Sequence, residues 1–239
     1  MNIRAIHTRL FQEKEKLEHF VFEHVSHLNN GDILVVTSKI VALAEGRTAE
    51  PKEKIKIIQK ESEWAIPTKY VWLTIKDGMF MAAAGIDESN AQGKLVLLPK
   101  DSFRAATRLR KALLKHYKLS SLGVLITDSR VLPLRAGVVG VALGYAGFGG
   151  IKDYRGSADL FGRKLKMTRV DIADSLATSA VLLMGEGNER KPLAIIKNAP
   201  VILRERVNRK ELIIPVTDDL YLPLFGKLNL AKQKKTRRN

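Results

Sequence analysis

The sequence predicts an α+β chain in which mixed β-sheets are packed by single helices. Three observations carry that class. Asp77-Gly78, between "YVWLTIK" and "MFMAAAG", is a strong two-residue hairpin signal. Short apolar runs such as "ILVVTS" (33–38), "KLVLLP" (94–99) and "LGVLIT" (122–127) have the length of strands. Helix-period segments fall between them without the even strand–helix alternation of a doubly wound sheet.

Taken in order, residues 2–6 read as a short strand. "QEKEKLEHFVFEHVSHL" (12–28) sets Leu17, Phe20, Val21, His24 and Leu28 at helical spacing, and Asn29-Asn30-Gly31 stops it. The strand at 33–38 leads to a short apolar segment and "AEGR" (44–47). "PKEKIKIIQKESEW" (51–64) reads as a helix with Pro51 in its first turn. After the hairpin and the 94–99 strand, Asp101 or Ser102 caps a basic helix running to about Lys118. The 122–127 strand follows and stops at Asp128-Ser129. "GVVGVALGY" and "KLKMTRV" read as strands around a charged, glycine-containing loop. "DIADSLATSAVLLMGE" (171–186) is a helix that ends near Gly185 and Gly187, "PLAIIKN" is a strand, and residues 200–230 are irregular. No linker interrupts residues 1–225, which form one body of one or two lobes, and 226–239 is a basic tail.

Composition narrows the function. The 239 residues are 45% hydrophobic and 28% charged, a globular balance with length for a real core. The absence of cysteine excludes disulfides, cysteine nucleophiles and thiolate metal sites. "MNIRAIHTRL" lacks the apolar core of a signal peptide, and the longest uncharged run, Ala136 to Ile151, is too short and glycine-rich to span a bilayer. A cytoplasmic protein without membrane contact is expected. The net charge of +16 points to acidic partners. The tail contributes Lys232, Lys234, Lys235, Arg237 and Arg238 and reads as a solvated end through which nucleic acid could be touched.

No GxxxxGK[ST] or post-strand GxGxxG stands in the chain. The run Gly137, Gly140, Gly144, Gly147, Gly149, Gly150 offers a phosphate cradle, but its spacing fits neither motif, and such glycines more often mark bulges or close packing. His24 and His27 share a helix face without a carboxylate at ligand spacing. More informative are three acids at the ends of apolar elements: Asp87 in "AAAGIDESN", Asp128 in "LITDSR" and Glu186 in "LLMGEGNE". With Ser129 they offer hard oxygen ligands for Mg2+ or Mn2+. Each also has a bland reading, Asp87 as a turn cap with Ser89 and Asn90, Asp128 as an ordinary loop acid. Arg135, Arg155 and Arg163 are candidate anion-binding forks, or members of a surface loop closed by internal salt bridges.

"GDILVVTSKIVALAEGR", "AAAGIDESN", "ITDS", "RAGVVGVALGYAG", "KDYRGSADLFGRKLKMT" and "LLMGEGN" occur in that order. As a set they resemble the coenzyme F420-0:γ-glutamyl ligase family, clearly over residues 31–198. The resemblance implies an intertwined homodimer and an enzyme that uses GTP, a divalent metal and L-glutamate to glutamylate the deazaflavin F420-0 through an acyl phosphate. It makes Asp87, Asp128, Ser129 and Glu186 the ligands of two metal ions. Ser38, Asn90 and the loop Met184, Gly185, Gly187 and Asn188 become nucleotide contacts, with Arg135, Arg155 and Arg163 as catalytic anion contacts. Two Mg2+ or Mn2+ ions, GTP or ATP as co-substrate, and K+ as a further cation are the expected small partners. Three segments depart from the pattern, one of them "RVLPLRAG" after Asp128-Ser129, which lacks the glycine usual in that turn. "IHTRLFQ" has neither the glycine nor the proline of an N-terminal nucleotide loop, and Leu43 in "ALAEGR" stands where an ammonium would meet phosphate. The alternatives are the same chemistry on a folate-type acceptor, and a member that binds nucleotide or nucleic acid without ligating.

Overall fold

The structure is a computed structural model, and it describes residues 1–225. The basic tail, 226–239, lies outside the described residues. Two compact units emerge: Met1–Gly46 with Pro99–Leu212, and Arg47–Leu98 with the segment from Ile213 on.

The first unit is built on a five-stranded sheet in the order β1-β12-β2-β8-β9. Its strands are β1 (Asn2–Ile6), β2 (Ile33–Thr37), β8 (Gly123–Val131), β9 (Val138–Ala146) and β12 (Leu193–Lys197). Only β2 and β8 run parallel; the other pairs are antiparallel. The mixed sheet expected from sequence is therefore present.

Its central strands are apolar on both faces because helices cover both. On one side Leu34, Val36, Val124 and Ile126 pack with α1 (Leu17–His24), α2 (Ser38–Ala44) and α4 (Ser102–His116). On the other, Ile33, Val35, Leu125 and Tyr145 pack with α5 (Ile172–Met184). Asp101 caps α4 by accepting from the Arg104 amide, as the sequence suggested, and Asp171 caps α5 in the same way through the Asp174 amide.

The second unit holds β3 (Thr48–Ala49) paired with β7 (Leu95–Val96), a 3-10 turn at Pro51–Glu53, α3 (Lys54–Glu61), and the antiparallel sheet β4 (Trp64–Pro67), β5 (Trp72–Lys76) and β6 (Met79–Ala82). Asp77-Gly78 makes the β5–β6 turn, both residues at positive φ, as that dipeptide requires. A short helix, α6 (Leu222–Phe225), ends the described chain.

Several sequence boundaries are corrected. The strand begun at residue 122 does not stop at Asp128 but runs to Val131. It can carry polar residues because β2 ends its pairing at Thr37–Thr127, while β9 keeps pairing with β8 as far as Val131–Val138. The segment after β2 is a helix, α2. The expected helix over 12–28 contracts to Leu17–His24, so His27 lies outside it; Lys14 before it is at φ 65. The 94–99 strand is limited to Leu95–Val96 by its two-residue partner β3. "KLKMTRV" forms the returning limb of an irregular arm between β10 (Ile151–Asp153) and β11 (Arg169–Asp171), held by Tyr154 N–H to Thr168 O and Gly156 N–H to Leu165 O. The glycine run is no phosphate loop: it lies in β9 and its flanks.

Candidate functional site

Two parallel strands in a sheet whose other pairs are antiparallel single out one place. The carboxyl ends of β2 and β8 lie side by side, and ligands favour the crevice beyond such ends. Ser38, the first residue of α2, sits at the end of β2 and is buried. Asp128 is the first residue of β8 past the last β2 pairing. The Ser38 hydroxyl donates to Asp128 Oδ1 at 3.0 Å.

Alternation along β8 sends the next residue to the opposite face. There the Ser129 hydroxyl donates to Glu186 Oε1 at 2.6 Å, an acid 57 residues on. Glu186 reaches that place because α5 lies tightly on β9. Ser129 pairs with Gly140, and a Cβ at Gly140 would stand 2.6 Å from the Ala177 carbonyl oxygen and 2.6 Å from Val181 Cγ2. The bare glycine lets the helix approach. Gly185, at φ 83, then turns the chain out of α5. Its missing Cβ also leaves room for Glu189, whose carboxylate accepts from the Gly187 amide at 2.8 Å. The backbone amide of Glu189 itself, and then that of Gly187, hold the Glu189 carboxyl below the usual range. This short loop thus folds its N–H groups around an anion.

The sequence picked out Ser38, Asp128, Ser129, Glu186 and the loop of Met184, Gly185, Gly187 and Asn188, and the first unit gathers them at one end of the sheet. Asp87 and Asn90 belong to the second unit. Asp87 pairs with Val96 through its backbone, while its Oδ1 accepts the Ser89 amide at 2.7 Å, so it does serve the turn. Asn90 is exposed at φ 50. The arginine candidates are placed differently. Arg155 is forked onto Asp153 two residues away, which follows the internal-salt-bridge reading, while Arg163 donates its backbone amide to Asp159 in the arm. Arg135 is exposed after a turn.

Four features escaped the sequence reading. Arg130, buried, donates through Nη1 to Asp128 Oδ2 and to the Ser129 carbonyl. Thr127 Oγ1 is buried with no hydrogen-bond partner among the described residues. Asp174 accepts the Ala142 amide, and burial pushes its carboxyl up; burial also raises that of Asp171, to about 6. Lys14 lays its stem across Gly46, its Cε 3.4 Å from where a Cβ would be, close to the segment in which Leu43 replaces the expected ammonium. A strand-period reading past Thr127 would have placed Arg130 beside Asp128. Nothing local in the sequence announces the other three.

Among the described residues no three His, Cys, Asp or Glu side chains gather into a metal-binding group. The donors of the first unit are nevertheless all hard oxygens: two carboxylates, the hydroxyls of Ser38 and Ser129, and the orphaned Thr127 hydroxyl beside them. That set suits a small divalent ion whose remaining positions come from phosphate or water.

A mixed sheet that sets carboxylates and hydroxyls at the carboxyl ends of its parallel strands offers the groups that binding of charged oxygen substrates calls for. The comparisons narrow that class. The family model F420-0:Gamma-glutamyl ligase matches residues 5–198. A Coenzyme F420:L-glutamate ligase of Methanococcus maripaludis is 36% identical over 192 residues, covering 80% of this chain and 76% of that protein. One from Methanocaldococcus jannaschii is 32% identical over 215 residues, 81% of this chain and 86% of its own. One from Methanopyrus kandleri is 35% identical over 194 residues, 72% and 77%. The chain belongs to the F420-0:gamma-glutamyl ligase family, which places it among ligases that join a carboxyl group to an amine as an amide.

Proposed function

We propose that this chain joins the amine of L-glutamate to a carboxylate of F420-0, using GTP to activate the carboxylate. The observation that carries the reading is the pair of contacts Ser38–Asp128 and Ser129–Glu186, made by adjacent residues of β8 beyond its last pairing with β2, in a chain of this family. The acceptor carboxylate oxygen attacks the γ-phosphorus, and GDP leaves. The glutamate nitrogen then attacks the acyl phosphate carbon, phosphate leaves, and the amine proton passes to solvent. Such chemistry asks a protein for positioning and charge neutralisation rather than for a nucleophile.

Each residue then has a task. The amides of the 185–189 loop, which hold the Glu189 carboxylate, would take a phosphate in its place. Asp128, Ser129 and Glu186 would hold divalent ions, Mg2+ or Mn2+, with Asp87 as a further ligand implied by the family likeness. Bound ions would supply positive charge against the triphosphate. Ser38 orients Asp128. Asn90, Arg135, Arg155 and Arg163 remain proposed anion or nucleotide contacts, and K+ a proposed accessory cation. A homodimer is part of the reading: Leu160, Phe161 and Met167 of the arm are 98%, 89% and 87% exposed, apolar surface that a second copy would cover.

Purified chain should be given L-glutamate, Mn2+ and GTP or ATP, with F420-0 or a folate as acceptor. Mass spectrometry should show a glutamyl unit added to F420-0 with GTP. Gain on the folate alone would move the acceptor to that alternative. Nucleotide binding without a gain on either acceptor would favour the non-ligating reading.

A further inference from the structure

We propose that Arg130 is a built-in counter-cation for Asp128, positioning that carboxylate and setting how tightly a divalent ion is held beside it. The inference rests on the metal-binding reading of Asp128. Arg130 lies two residues beyond Asp128 on β8, hence on the same face, and is 7% exposed. Its Nη1 engages Asp128 Oδ2 and, at 2.8 Å, the Ser129 carbonyl oxygen. Ser38 holds the other oxygen, Oδ1. Both carboxylate oxygens are therefore engaged by the chain, one by a fixed positive charge.

The charge cannot be shed, because a guanidinium stays protonated in proteins. A buried arginine also needs acids to offset its desolvation. Arg130 has Asp128 in contact, and its field lowers the Asp174 carboxyl against the upward push of burial. Asp128 and the Ser129 carbonyl oxygen thus fix one end of the guanidinium. A divalent ion approaching Oδ2 meets this charge and must share Asp128 with it. The arrangement keeps Asp128 oriented without metal and weakens the ion's hold, so that the ion binds firmly only when a polyphosphate brings further negative charge.

The test is Mn2+ binding to the full chain without nucleotide, followed by electron paramagnetic resonance of the free ion. Arg130→Gln should bind Mn2+ about tenfold tighter than the unaltered chain, equivalent to about 1.4 kcal/mol. Arg130→Lys, which keeps the charge, should stay close to the unaltered affinity, and Asp128→Asn should lose binding. A purely structural arginine predicts lower stability in Arg130→Gln without a gain in affinity; that result overturns the proposal while leaving the metal reading intact. If neither the unaltered chain nor Arg130→Gln binds Mn2+, the metal reading falls and the proposal with it. Should Arg130→Gln fail to fold, the 15N guanidinium signal of Arg130 in the unaltered chain decides: it should move as Mg2+ saturates the site, and a signal that does not move contradicts the proposal.

Discussion

Asp128 and Asp87 look alike in the sequence, each an acid after an apolar run, yet the structure treats them differently. Asp128 is held by Arg130, two residues on, and also by a group distant in the chain: Ser38 lies 90 residues before it, and the neighbouring Ser129 meets Glu186 57 residues later. Asp87 caps its own turn through the amide of Ser89. One carboxylate is reached by a residue of a distant element; the other serves its own turn. The lesson is that an acid at the end of an element becomes a candidate site residue when the topology brings unrelated elements to it. A parallel strand pair does that for Asp128.

The largest effect that would sharpen this comparison is expected at the packed site. Asp128→Asn and Glu186→Gln should each lower turnover by about a hundredfold or more, because each removes a carboxylate proposed to hold the ions that offset the phosphates' charge. Steady-state assays with a thermal-melt control separate this loss from unfolding. Gly140→Ala attacks the same region through its packing. The new methyl meets the Ala177 carbonyl and Val181, so α5 must shift away from β9. A cost of about 1–3 kcal/mol in urea denaturation is expected, with weaker Mn2+ binding as Glu186 is drawn from Ser129.

A smaller effect concerns the cap of α5, the helix that delivers Glu186. Burial raises the Asp171 carboxyl to about 6, above its value in an unfolded chain. The native state therefore holds this proton more tightly than the unfolded state does. The resulting stability is fully present below about pH 4 and is lost as pH rises through about 6. Allowing for partial screening, the fall should be about 1 kcal/mol. Asp171→Asn, which keeps a capping oxygen, should flatten it in urea titrations between those pH values. The smallest effect is expected at the locally held acid. Asp87→Asn keeps an oxygen for the Ser89 amide, so stability should change by less than about 0.5 kcal/mol. Mn2+ affinity should nevertheless fall if Asp87 is a ligand; unchanged affinity would restrict its role to the turn.

Much of this was legible in the sequence, for identifiable reasons. The Asp77-Gly78 hairpin, the Asp101 cap and the apolar β2 and β8 are local signals, and all are present. Asp128, Ser129 and Glu186 were visible as residue types at element ends. Their convergence was not, because it depends on strand order and on how closely α5 lies over Gly140. Arg130 was hidden by the assumption that polar residues end a strand. In fact β8 continues because β9 pairs with it after β2 has stopped. The arm between β10 and β11 misled differently: its apolar side chains lie outward, so strand-like patterning there does not mark a core.

The most direct test of the account is glutamate transfer by the unaltered chain beside Asp128→Asn, read by mass spectrometry of F420-0 in the presence of GTP and Mn2+. The account predicts a glutamyl unit added by the unaltered chain and about a hundredfold less product from the folded variant. Equal product from both, or none from the unaltered chain with any nucleotide and acceptor, would contradict it.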